Sequence, residues 1–131
     1  MPPLTTLKIL IVDDEPPLLK MMGVYLQRVG YDAVLFESSD RAWTALEGST
    51  GEYAGAVLDA TLRGMTTQDL ALKLLTANPS LCVVVASGYP IDMSAVEAAG
   101  PGRVSFVQKP FTADTLVRTL RRMFDSQETA L

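Results

Sequence analysis

Residues 7–15 read Leu7-Lys8-Ile9-Leu10-Ile11-Val12-Asp13-Asp14-Glu15, a run of branched apolar side chains broken once by a lysine and ended by three acids. A half-exposed strand alternates apolar and polar residues, so a near-continuous run predicts a strand covered on both faces. Its acidic end predicts that the strand carries carboxylates to one edge of a sheet.

Four more such runs follow, at 32–36, 53–58, 81–86 and 103–107, and helical patterns fill the gaps between them. The first helix is expected over 15–29, with Pro16 and Pro17 in its first turn and Gly30 as its stop. The second starts from Ser38 or Ser39 and ends at Gly48, and the third spans 67–77. The segment 90–100 is poor in apolar residues and predicts a short or mobile fourth helix. The last helix is capped by Thr112 and carries Leu116, Leu120, Met123 and Phe124 on one face, with Arg118, Arg121 and Arg122 reading as a solvated face. Strict β-α alternation with apolar strands argues for an α/β fold, a parallel sheet with helices on both faces, doubly wound. The 131 residues suit one domain, with a core at about 7–124 and tails at 1–6 and 125–131 expected to be flexible.

Composition removes several chemistries. There is no histidine, so a phosphohistidine carrier, an imidazole base and a histidine-ligated metal are excluded within this sequence. The one cysteine, Cys82, lies in an apolar run and reads as a buried small hydrophobe; a single cysteine makes no internal disulfide. A net charge of −4 offers no basic surface for a phosphate backbone or anionic lipid, so no direct nucleic-acid or membrane partner is expected. No run approaches the roughly 20 apolar residues of a membrane span, and the redox character suits a cytoplasmic location.

In open α/β sheets the ligand sits beyond the carboxyl ends of the strands. Strand one delivers Asp13, Asp14 and Glu15 there, strand three Asp59, strand four Ser87, and strand five runs into Lys109-Pro110. Each residue alone has a plain explanation as a cap, a turn former or a solvated charge, but helix capping does not predict their convergence on one edge. Carboxylates held close together repel, and must protonate or take up a cation. An all-oxygen donor set favours a hard divalent ion such as Mg²⁺. A carboxylate beside such an ion can serve as nucleophile toward a phosphoryl group, with Lys109 and the Ser87 hydroxyl neutralising charge on its oxygens.

Ile9-Leu10-Ile11-Val12-Asp13-Asp14-Glu15, Val57-Leu58-Asp59, Ala86-Ser87-Gly88-Tyr89 and Gln108-Lys109-Pro110-Phe111 together resemble the CheY-like receiver domain of two-component response regulators, over about residues 7–124. The resemblance implies a flavodoxin-like, five-stranded parallel sheet in the order 2-1-3-4-5. It implies that Asp59 accepts a phosphoryl group from the phosphohistidine of a histidine kinase or phosphotransfer protein. Asp14, Asp59 and the Thr61 backbone carbonyl would ligate Mg²⁺, and Asp13 would act through a coordinated water. Lys109 would pair with a phosphoryl oxygen, and Ser87 would be the switch hydroxyl. Phe106 would turn inward with Ser87, the Lys109-Pro110 bond would be cis, and Thr61 and Tyr89 would tune the phosphoryl lifetime. Signalling would run through the face of helix four, strand five and helix five.

Such a chain is no conventional enzyme, although it would catalyse its own phosphorylation and dephosphorylation. It would act as a monomer or as a phosphorylation-dependent dimer. The family often has a Met-Pro turn after the acceptor, whereas here Ala60-Thr61-Leu62-Arg63-Gly64-Met65 lacks the proline and brings the glycine earlier, so an unusual loop is expected. Residues 100–111 look more like receivers attached to hybrid histidine kinases, and with few residues after Phe124 the output is expected through a partner or a longer polypeptide. Two alternatives stay open on the residues alone. One is a receiver-like docking module that is never phosphorylated. The other is a flavin- or nucleotide-binding domain, against which stands an acidic first loop carrying Pro16 and Pro17 instead of glycines.

Overall fold

The computed structural model describes residues 6–129. Five parallel strands, β1 (Lys8–Val12), β2 (Asp32–Phe36), β3 (Tyr53–Asp59), β4 (Cys82–Ser87) and β5 (Val104–Gln108), form one sheet in the order β2-β1-β3-β4-β5. Between and after them run α1 (Pro16–Arg28), α2 (Ser39–Leu46), α3 (Thr67–Ala77), α4 (Ser94–Ala99) and α5 (Ala113–Thr129), with a short 3₁₀ turn at Thr50–Glu52. This is the expected flavodoxin-like α/β architecture and strand order.

The apolar runs of β1, β3 and β4 are nearly continuous because both faces of the sheet are covered there. Leu10, Val12, Ala56, Leu58, Val83 and Val85 point to the layer of α2, α3 and α4, where Leu46, Leu70, Leu74 and Val96 meet them. The alternate residues Ile9, Ile11, Val57, Cys82, Val84 and Ala86 point the other way, onto Leu19, Met22 and Leu26 of α1 and Leu116, Leu120 and Met123 of α5. Each fully buried Leu or Ile contributes about 1.5–3 kcal/mol to this double core. Cys82 is buried and free as expected, and burial raises its thiol pKa, which keeps it unreactive.

Local signals fix the helix starts. Prolines occupy the first turn of α1, and the Ser38 hydroxyl accepts the Arg41 N–H at 3.3 Å to cap α2. Thr66 caps α3 and Thr112 caps α5, each accepting a backbone N–H at 3.1 Å. Helix α1 lies so close to β2 that a Cβ at Gly23 would sit 2.9 Å from Leu35 Cδ1. Helix α4 is short and buries only Val96.

Several boundaries differ from the sequence reading by a residue or more. Strands β3, β4 and β5 each run one residue further than expected, because Asp59, Ser87 and Gln108 still pair in the ladder with Ala86 and with each other. Helix α5 also continues through 125–129, where a tail was expected. No glycine or proline interrupts that stretch, and the Gln127 side chain donates to the Gly102 carbonyl at 3.2 Å. Residues 1–5 and 130–131 of the expected tails 1–6 and 125–131 lie outside the described residues.

Candidate functional site

Sheet register brings the acids together. Val12 pairs with Leu58, so the next residues, Asp13 and Asp59, leave adjacent central strands side by side. Both are buried, at 1% and 4% exposure, while Asp14 on the rim is partly open. One carboxylate oxygen from each of Asp13, Asp14 and Asp59 lies within 4.8 Å of the others. Glu15, read from sequence as part of the acidic end, stands apart: it is exposed and begins α1, its N–H donating to Asp13 Oδ1 at 2.8 Å.

Strand β5 supplies the cation. Ser87 pairs with Gln108, and the Lys109 N–H donates to the Ser87 carbonyl at 2.7 Å, which fixes where the lysine leaves the sheet. The Lys109–Pro110 peptide is cis. Lys109 Nζ donates to Asp59 Oδ1 at 2.6 Å and reaches Asp13 Oδ2 at 3.5 Å. The other oxygen of Asp59, Oδ2, accepts from the Thr61 hydroxyl at 2.9 Å and the Thr61 N–H at 3.2 Å. Asp59 is therefore held on both oxygens.

Three carboxylates against one partly buried lysine and the exposed Arg63 at the rim leave the cluster short of positive charge. Burial is the main cause that raises the Asp13 pKa above the ordinary aspartate value, and the Glu15 N–H and Lys109 only partly oppose it. For Lys109, burial presses the pKa down, but the hydrogen bond to Asp59 and the charges of Asp13, Asp59 and Glu15 together leave it raised. A compact set of oxygen donors carrying uncompensated negative charge fits a hard divalent cation such as Mg²⁺.

The other expected residues take different positions. Ser87 is buried, and its hydroxyl is bonded within its own loop, donating to the Tyr89 carbonyl at 2.6 Å and accepting the Tyr89 N–H at 3.1 Å. The side chain of Tyr89 is exposed, and Phe106 on β5 is 43% exposed beside a groove shared with Ile91, Met93 and Glu97.

Four supporting residues escaped the sequence reading in these roles. Thr67 is buried and donates to the Asp59 carbonyl at 2.6 Å, holding the end of β3 against α3. Ser39 and Asp40 at the start of α2 hold the turn 63–65, and Arg63 lies 3.8 Å from Asp14 through Nε. Ser39 could be seen only as a helix-start signal, because its partners lie 24 and 26 residues away.

Comparison with known proteins gives a consistent result. The model of the response regulator receiver domain family matches residues 9–121. The C4-dicarboxylate transport transcriptional regulatory protein DctD of Rhizobium meliloti is 34% identical over 115 residues, covering 87% of this chain and 24% of that protein. The nitrogen assimilation regulatory protein NtrX of Azorhizobium caulinodans is 32% identical over 120 residues, covering 90% of this chain and 26% of that protein. The chain thus spans about a quarter of the length of these two relatives. Among solved structures, a CheY-like response regulator receiver domain protein from Methanospirillum hungatei superposes with a TM-score of 0.83 at 22% identity, covering 97% of this chain and 100% of that one.

Proposed function

Because the chain belongs to the response regulator receiver domain family, we propose that it is a phosphoacceptor switch in which Asp59 takes a phosphoryl group from the phosphohistidine of a histidine kinase or phosphotransfer protein. The observation that carries this reading is the 2.6 Å bond from Lys109 Nζ to Asp59 Oδ1 beside the buried Asp13. An Asp59 oxygen attacks phosphorus, the P–N bond to the donor imidazole breaks, and the histidine nitrogen leaves with the bonding pair. Lys109 Nζ, bonded to Asp59 at 2.6 Å, would neutralise the charge that builds on the phosphoryl oxygens. The Thr61 hydroxyl and N–H hold the carboxylate for attack.

Asp14, Asp59 and the Thr61 carbonyl would hold Mg²⁺, with Asp13 acting through a bound water. When bound, the ion supplies charge neutralisation for the transferring group. Ser87 would leave its Tyr89 partners for a phosphoryl oxygen, and Phe106 would then turn inward against β4. The readout would be the face of α4, β5 and α5, with Thr61 and Tyr89 flanking the phosphoryl group and setting its lifetime.

Residues 7–124 form the receiver unit on this reading, acting as a monomer or as a phosphorylation-dependent dimer. No helix among the described residues is long and apolar enough to cross a membrane, and we place the protein in the cytoplasm, where kinases and phosphodonors are available. The net charge of −4 speaks against direct nucleic-acid contact by this unit, so its output passes to a protein partner or to further sequence. The hybrid-kinase likeness rests on residues 100–111 alone, whereas the two named relatives carry the names of regulatory proteins.

The test is intact mass after incubation with acetyl phosphate, with Mg²⁺ or with a chelator, for wild type and Asp59→Asn. A Mg²⁺-dependent gain of one phosphoryl group in wild type only is expected. Equal labelling of the Asn variant would overturn the assignment of Asp59, and no labelling of wild type by either acetyl phosphate or a phosphorylated kinase would favour an unphosphorylated docking module.

A further inference from the structure

The turn after Asp59 is fastened from outside the site. The Ser39 hydroxyl lies 2.7 Å from the Arg63 carbonyl and within bonding distance of the Met65 carbonyl, and the Met65 N–H donates to Asp40 Oδ1 at 3.3 Å. Between them Gly64 adopts φ +81°, a conformation that side-chain-bearing residues rarely take, and a Cβ there would overlap the Asp40 carboxylate. Arg63 is thereby fixed at its backbone beside the acidic cluster. Its side chain is 85% exposed, yet Nε comes to 3.8 Å from Asp14 Oδ2, on the one acid of the cluster that faces solvent.

We propose that Arg63 is a resident counter-cation of Asp14 that competes with the divalent ion for the acidic cluster and so sets its metal affinity. The inference rests on the reading of Asp13, Asp14 and Asp59 as the Mg²⁺ site. An exposed ion pair of this kind adds little to stability, and its effect on binding comes from repulsion between the guanidinium and an incoming divalent ion. A divalent ion entering the cluster must displace the guanidinium or tolerate it nearby. A single charge opposing a double charge at roughly 6 Å in a water-like dielectric changes a binding constant by about 3- to 10-fold. Lys109 cannot play this part, because its ammonium is bonded to Asp59 and Asp13 on the buried side. Arg41 lines the same groove as Asp14 and Arg63, which makes it a control for surface charge in general.

The test is calorimetric titration of Mg²⁺ into wild type, Arg63→Gln, Arg63→Lys and Arg41→Gln, with folding of each checked by circular dichroism. Arg63→Gln is expected to tighten Mg²⁺ binding by about 3- to 10-fold at low salt, and by less at high salt. Arg63→Lys and Arg41→Gln should each stay within about twofold of wild type. Unchanged affinity in Arg63→Gln overturns the proposal while the metal site stands. An equal gain in Arg41→Gln also overturns it, since the effect would then belong to overall surface charge. Failure of wild type to bind Mg²⁺ removes the metal reading itself, and the proposal with it.

Discussion

Lys109 donates to Asp59 at 2.6 Å across 50 residues of sequence, and the same ammonium lies 3.5 Å from Asp13. One cation thus serves two buried carboxylates that parallel pairing sets side by side at the ends of β1 and β3. This lysine holds the two carboxylates together, and its removal should be felt in stability as well as in chemistry.

Lys109→Met should destabilise the metal-free protein by about 1–3 kcal/mol, because a buried carboxylate then loses its hydrogen-bonded partner. Urea denaturation in chelator reads this directly. Added Mg²⁺ should restore part of the loss, and an unchanged midpoint would show that the lysine is no structural counter-ion.

Asp13→Asn should stabilise the metal-free protein at neutral pH. Burial raises the folded-state pKa of Asp13 above its unfolded value. Between those two values the folded state binds the extra proton, so the contribution of Asp13 to stability falls as pH rises through that window. The asparagine variant lacks this fall, and its advantage over wild type should grow from pH 4 to pH 7, as marked by urea midpoints in chelator. An advantage that does not change with pH would contradict the assignment to Asp13 ionisation.

Gly64→Ala should cost at least about 1–2 kcal/mol, the usual penalty for forcing a side chain into a left-handed conformation, with the overlap of its Cβ on the Asp40 carboxylate added to it. Gly51→Ala provides the contrast, since its Cβ would meet nothing within 4 Å and its φ is ordinary. Similar urea midpoints for the two variants would mean that the turn after Asp59 adopts another conformation in solution.

Ser87→Ala should accept phosphate but fail to move Phe106. The hydroxyl is tied to Tyr89 and has to be released for the proposed switch. Fluorine NMR of a fluorophenylalanine at position 106 should shift on treatment of wild type with acetyl phosphate and Mg²⁺, and stay in place in the variant. A shift of equal size in both would separate Phe106 from Ser87.

Much of this was legible because strand ends announce themselves. The run into Asp13-Asp14-Glu15, the Val57-Leu58-Asp59 break and the Lys109-Pro110 pair each mark where apolar pairing stops, and a parallel sheet collects such ends on one edge. What escaped depends on partners far apart in sequence. No local pattern reveals that Ser39 will meet Arg63 and Met65, or that the Thr61 and Thr67 hydroxyls will hold opposite parts of Asp59. The end of α5 was missed for another reason: residues 125–129 lack an apolar stripe, and the helix continues because nothing stops it.

The central placement of β1 and β3 has a consequence for exchange with solvent. Both strands are paired on either side and covered on both faces, so opening them requires near-global unfolding, and their amides should exchange slowest. Helix α4 is one short element anchored by Val96 alone and can open at far lower cost. Hydrogen exchange should therefore divide the molecule into a slow line through Asp13 and Asp59 and a fast margin at α4.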